Sequence, residues 1–218
     1  MALHQFAADV LPPVLYRTAR SAYRTVTRPA PPDENRLFEG YDNLFNRAVA
    51  SAHWYLEYGA GASTVWVLNN TSAVVTSVDS SKAWLNSVKT DSGAGPNRLK
   101  TIHVDIGRLR DWGRPVNYAK RAGWHAYAQA PWDMGSRPDT VLIDGRFRVS
   151  CFAATLAAAD PGTVVLFDDY VERPHYHVVQ ELLRPDATNG RQARFVVPKN
   201  VDREAARRMR DEFALPFE

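Results

Sequence analysis

The sequence predicts an α/β fold: a doubly wound, mostly parallel sheet with helices on both faces. Three observations predict it. The stretch His53–Leu68 reads HWYLEYGAGASTVWVL: an apolar run passes through Glu57, Gly59 and Gly61 bracket Ala60, and Ser63 and Thr64 open an apparent helix. A strand that turns at once into a helix needs glycine where the backbone bends sharply and where a ligand approaches the main chain. From Trp54 onward, short β-rich runs alternate with helix-like segments, the rhythm of parallel strands joined by crossover helices. Strand-like runs also end repeatedly in acids: Asp79, Asp105, Asp144 and the pair Asp168 and Asp169. Ligands of such sheets bind beyond the carboxyl ends of the strands, where each of these acids falls.

In chain order, residues 1–36 read as an amino-terminal arm. Leu11, Val14, Leu15, Ala19 and Tyr23 fall at mostly helical spacing, and RPAPPDE (28–34) is a proline-rich break before the body. Pro12 and Pro13 interrupt that pattern, which favours packing against the body or a partner chain, as in a homodimer, over lying on a membrane surface. Residues 37–218 are expected to form a single domain. A helix over 38–52 precedes the first strand at 54–58, and the next helix runs to about residue 69. The second strand, 73–78, is followed by a helix over 81–90, and SGAGPN (92–97) turns into a third strand at 99–104. The fourth strand is expected at 140–143 with a helix over 147–159, and the fifth at 163–167 with a helix over 176–183. One more strand, 193–197, and a charged helix, 203–213, complete the chain. The segment 107–138 is too long for an ordinary connection, and Trp112, Tyr118, Trp124, Tyr127 and Trp132 argue against disorder. It reads as an aromatic-rich insertion, a lid on the substrate side.

Composition narrows the class. With 218 residues, 45% of them hydrophobic, the chain can bury the core of one such sheet. No apolar run is long enough to span a bilayer, and the opening residues lack the basic start and unbroken apolar core of a secretory signal. The balance of 27 basic and 24 acidic side chains is too even to argue for a nucleic-acid partner, and no basic stripe interleaves with aromatics. The single cysteine, Cys151, reads as a buried thiol, compatible with a reducing cytoplasmic location.

The helix after the glycine loop offers unpaired N–H groups and a positive dipole end to a cofactor. Two details choose among cofactors. The dinucleotide fingerprint wants a third glycine where this chain has Thr64, and a pyrophosphate gains little from a carboxylate such as Glu57 close by. A cofactor carrying an ammonium and a sulfonium does gain from it. Asp79, at the end of the second strand, is placed to accept hydrogen bonds from a ribose. These features favour S-adenosylmethionine over NAD.

At these residues the sequence resembles the class I (Rossmann-like) S-adenosylmethionine-dependent methyltransferases. The resemblance runs from about Leu56 to Val179. It rests on E-x-G-x-G-x-S-T (Glu57 to Thr64), on Asp79, on VDIG with Asp105, on DTVLIDGR with Asp144, and on PGTVVLFDDY with Asp168 and Asp169. It implies a cofactor set of Glu57, Gly59, Gly61, Ser63, Thr64, Asp79, Ser80 and Asp105. In that set Glu57 faces the methionine amino end, Asp79 the ribose and Asp105 the adenine amino group. A side chain at Gly59 or Gly61 is expected to fill the space of the cofactor and leave the domain folded.

The resemblance also implies chemistry at the fourth and fifth strands. In the metal-dependent O-methyltransferase branch, acids at these positions hold a divalent cation, and Asp144, Asp168 and Asp169 are the oxygen ligands that Mg²⁺ would take. Arg146 and Arg148 lie so close to Asp144 that a metal-free site, with an arginine paired to the acids, is favoured instead. They could also clamp an anionic substrate. Catalytic candidates are Asp144, Asp168 and His175, the histidine of ERPHYH nearest the fifth strand. The expected activity is O-methylation of a small molecule. A methyltransferase-like binding module without turnover and an NAD-dependent oxidoreductase are the alternatives. Calorimetry with S-adenosylmethionine, S-adenosylhomocysteine and NAD separates them: heat is expected from the adenosyl compounds, and tight NAD binding with none from them overturns the assignment.

Overall fold

The computed structural model describes residues 37–39, 41–110 and 113–215; the arm expected over 1–36 and Trp112 of the aromatic-rich segment lie outside the described residues. The chain divides into two compact units, residues 1–39 and 40–218, and the sheet and the site both belong to the second. Among the described residues, no helix is long and apolar enough to cross a membrane.

The central sheet has seven strands: β1 (Trp54–Tyr58), β2 (Val74–Asp79), β3 (Leu99–His103), β6 (Thr140–Ile143), β7 (Val164–Phe167), β8 (Ala187–Asn189) and β9 (Gln192–Val196). Their order is β3-β2-β1-β6-β7-β9-β8. β3, β2, β1, β6 and β7 run parallel, whereas β9 is antiparallel to β7 and to β8. The expected doubly wound, mostly parallel sheet is therefore what the chain forms. β4 (Leu109–Arg110) and β5 (Arg114–Pro115) make a separate two-stranded ribbon.

The central strands are buried on both faces, so they read as near-continuous apolar runs, TVLI in β6 and VVLF in β7. Alternation along β1 still decides what meets each face. Leu56 and Tyr58 join a core with α4 (His125–Asp133), α5 (Arg148–Ala158) and α6 (Arg203–Glu212). Tyr55 and Glu57 face the side of α1 (Asn43–Val49) and α2 (Ala62–Asn70), where Phe45 packs edge-on against Tyr55 and Trp66. α3 (Lys82–Ser92) lies beside α2, started by the Ser81 hydroxyl, which accepts from Trp84 N–H, and ended at Gly93 in the left-handed region. Asp202 caps α6 by accepting from the N–H groups of Glu204 and Ala205. Arg203 then donates to the carbonyls of Leu156, Ala157 and Ala159, tying α6 to the negative end of α5.

Three expectations need correction. The strand expected at 193–197 is β9, but its partner β8 is not among the expected strands: the two form a hairpin, with β9 antiparallel to β7. Asn189 pairs with Gln192 across a two-residue loop whose first residue, Gly190, has φ +54°. Gly-X between strands is the hairpin signal, hidden here because β8 is only three residues of weak strand propensity. The helix expected over 176–183 is a 3₁₀ helix, Pro174–Glu181. Within 107–138, the lid reading fails for the second half: α4 is the crossover helix that joins parallel β3 to β6. Trp124 and Tyr127 are core residues there, with Trp124 Nε1 donating to Ile106 O at 2.9 Å. Aromatic richness in that half reports packing.

The ends of β1 and β6 approach at backbone distance. Gly59 has φ +100°, and a Cβ there would stand 2.7 Å from Gly145 Cα and N and 2.9 Å from the Asp144 carbonyl carbon. A Cβ on Gly145 would meet Gly59 N at 2.8 Å and collide with the Tyr127 hydroxyl. Gly59→Ala and Gly145→Ala should each cost about 3 kcal/mol or more, combining strain and overpacking. Thermal melts check this; a Gly59→Ala protein that melts with the parent would disprove the contact.

Candidate active site

Backbone pairing continues one step past the strands and sets the site. Gly59 N–H donates to Val78 O (2.8 Å), Asp144 N–H to Tyr58 O (2.9 Å) and Asp168 N–H to Ile143 O (3.1 Å). With Tyr58 level with Val78 and Ile143, and Ile143 level with Phe167, the next residues form one row: Asp79, Gly59, Asp144 and Asp168. That row crosses the carboxyl edge at the point where the strand order reverses.

The glycine loop divides its work. Gly59 serves the β1–β6 contact, so the expectation that its side chain would only displace a cofactor is corrected: substitution strikes the fold first. Gly61 is extended (φ −176°), and a Cβ on it meets nothing within 4 Å. Its N–H donates to Thr64 Oγ1 at 3.1 Å. Asp79 is held from both sides, Oδ2 accepting from Ala60 N–H (2.9 Å) and Oδ1 from Ser81 N–H (2.6 Å). Burial raises its pKa, against the pull of these N–H groups and of the Arg146 charge. Ser80 is buried beside it, and its carbonyl lies 3.2 Å from His103 Nε2.

Glu57 is fully buried. Its two oxygens accept from the hydroxyls of Ser63 and Thr64, the latter at 2.5 Å, so the carboxyl pins the first turn of α2 to β1. Asp105 stands apart from the row, half-exposed, ion-paired with Lys120 and accepting from Gly107 N–H; the Lys120 hydrogen bond lowers its pKa.

Asp144, Asp168 and Asp169 converge, with one oxygen from each within 4.8 Å of the others. Arg148 enters this cluster. Its side chain is 4% exposed and lies 2.9 Å from Asp144 Oδ1 and 3.1 Å from Asp169 Oδ2. It also donates to the carbonyls of Gly145, Asp168 and Asp144. Arg191, at the tip of the β8–β9 hairpin, meets both oxygens of Asp168 (3.0 and 2.8 Å), and Arg173 meets Asp169 (2.9 Å). Arg146, also buried, interacts electrostatically with Asp79 and Arg148. Asp144 keeps 30% of its side chain exposed, against none for Asp168. Its pKa is raised by burial and then by Asp168 and Asp169, with Arg148 pulling it down.

His175 is exposed, its ring 4.4 Å from that of Tyr176, while His177 Nε2 lies 3.0 Å from Tyr170 O. Sequence reasoning missed Gly145, Arg173 and Arg191. The glycine of IDGR was a signal for the first; Arg191 becomes visible only once the hairpin is seen. A groove of about 340 Å³ lined by Arg47, Ser51, His53, Asp139 and Arg194 lies at the amino ends of β6 and β7, away from the row.

Burial raises the Glu57 pKa from 4.5 to about 8, the Ser63 and Thr64 hydroxyls opposing it. The folded state thus keeps a proton that the unfolded chain releases near 4.5, so stability falls as pH rises between these values. Glu57→Gln should flatten the fall in melting temperature of the ligand-free protein over this window. Parallel profiles for the two proteins would refute the burial of this group.

The sequence matches no family model and no curated protein. Solved structures do match. A methyltransferase-like protein from Silicibacter pomeroyi is 33% identical, with a TM-score of 0.71 over 87% of this chain and 98% of that one. An O-methyltransferase from Bacillus cereus, solved in complex with SAH, is 18% identical with a TM-score of 0.51 over 90% of this chain and 97% of that one, a likeness of fold. Sequence identity along nearly the whole of the first structure joins the strand order and the glycine loop: the chain belongs to the class I S-adenosylmethionine-dependent methyltransferases.

Proposed function

We propose that this methyltransferase acts on an oxygen of a small molecule, with Asp144 as the base. The observation that carries the reading is the row at the carboxyl edge, where an open glycine position and a ribose-type acid (Gly61, Asp79) lie beside a partly exposed acid (Asp144). In this reading S-adenosylmethionine lies along the glycine loop, its ribose on Asp79 and its path past Gly61 and Ser80. Glu57, Ser63 and Thr64 act through the shape of the first turn of α2. The acceptor hydroxyl stands at Asp144. Bound there, S-adenosylmethionine would supply the methyl group to that oxygen, and the Asp144 carboxylate would take the hydroxyl proton. Asp144 is better placed for this than His175, which is turned to solvent, or Asp168, which is closed off by Arg191.

Binding and transfer test this separately. Gly61→Val should abolish S-adenosylhomocysteine binding in calorimetry with an unchanged melting temperature, and Asp79→Ala should weaken it by about 1–3 kcal/mol. With labelled S-adenosylmethionine and a panel of hydroxylated small molecules, Asp144→Asn should retain cofactor binding and lose about a hundredfold or more in transfer. Undiminished transfer by Asp144→Asn would remove the base from the mechanism.

A further inference from the structure

Three carboxylates from the ends of β6 and β7 make a place where a divalent cation would be expected. Two observations argue against one. The first is the bonding of Arg148. Its guanidinium has five N–H groups and five oxygen contacts: Gly145 O (3.1 Å), Asp168 O (2.6 Å), Asp169 Oδ2 (3.1 Å), Asp144 O (3.0 Å) and Asp144 Oδ1 (2.9 Å). Arg148 thus already engages one carboxylate oxygen each of Asp144 and Asp169, two of the three acids that a cation here would have to approach to about 2.0–2.6 Å. The second is charge. Arg191 spans the two oxygens of Asp168 and Arg173 holds Asp169, so three guanidiniums from three segments face three carboxylates. A divalent ion added to that set would lie among positive charges already in place.

We infer that Arg148, assisted by Arg191, is a cation built into the chain that takes the position of a divalent metal, so that this methyltransferase site neither needs nor binds one. The inference rests on placing the transfer site at Asp144. Arg148 then has a stated task as a positioning residue: it holds the Asp144 carboxylate by one oxygen and fixes the loops after β6 and β7 through their carbonyls. The backbone is shaped for this arrangement. Phe147, directly before Arg148, has φ +53°, and Asp169 has φ +58°. A phenylalanine in the left-handed region is strained, and the strain is held by its buried ring against Trp124 and Tyr127.

Mn²⁺, whose free ion gives a sharp spin-resonance signal, is the probe. The wild-type protein is expected to leave that signal unchanged at millimolar ion, and to melt at one temperature with Mg²⁺, Mn²⁺ or chelator. Arg148→Met uncovers the carboxylates: it should melt lower, bind Mn²⁺ at least about tenfold tighter than wild type, and regain part of its melting temperature on adding the ion. Arg191→Met, at a more exposed guanidinium, gives the same comparison if Arg148→Met fails to fold. Wild-type Mn²⁺ binding that Asp168→Asn abolishes overturns the inference, as do folded arginine variants with no gain in Mn²⁺ binding. Calorimetry with S-adenosylhomocysteine on the same proteins keeps the two readings apart, because loss of that binding in wild type strikes the proposed function and leaves the metal result standing.

Discussion

The carboxyl edge of the sheet depends on how closely two backbones approach. Gly59 and Gly145 meet with no room for a Cβ on either, and the Tyr127 hydroxyl closes the contact from below. That approach lets the pairing of β1 with β6 run one residue beyond the strands, from Tyr58 O to Asp144 N. Asp144 is thereby set beside the glycine loop instead of drifting away with its own loop. Separate these chains by the width of a methyl group and the row from Asp79 to Asp168 breaks between Gly59 and Asp144.

Placing acids side by side at the ends of parallel strands has an electrostatic cost, because buried carboxylates repel one another and lose hydration. The chain offsets it with arginines drawn from three places: the first turn of α5, the segment after β7 and the β8–β9 hairpin. Tyr176, fully buried, has the guanidinium carbons of Arg148 and Arg173 each 5.8 Å from its ring centroid, a further contact for positive charge. The antiparallel edge of the sheet therefore has a chemical role as well as an architectural one. It carries Arg191 back to the site.

Much of this was legible in the sequence. Fold class, glycine loop and the acids that end the strands all come from local signals: apolar runs, glycines at a bend, polar residues where a run stops. What escaped depends on partners distant in the chain. Gly145 looks like an ordinary turn residue until β1 is laid against β6. Arg191 and Arg173 are surface-type residues by composition, and only the hairpin and the turn after β7 bring them to Asp168 and Asp169. Trp124 and Tyr127 suggested a lid because aromatic content cannot tell a ring that waits for substrate from one that fills a core.

The glycine-loop motif also proved to be two things at once. Glu57, Ser63 and Thr64 satisfy one another in a closed, buried cluster, and Gly59 is required by the neighbouring backbone. A domain that had lost its cofactor would still need all four to fold as it does. Gly61 is different. Its backbone is extended, it has no steric neighbour, and glycine there costs chain entropy that any side chain would lessen. It stands at the N-cap of α2, where Ser, Thr, Asp or Asn would serve as well or better, so helix capping alone does not single out glycine. Within this motif Gly61 is thus the residue on which the proposed cofactor path leans most.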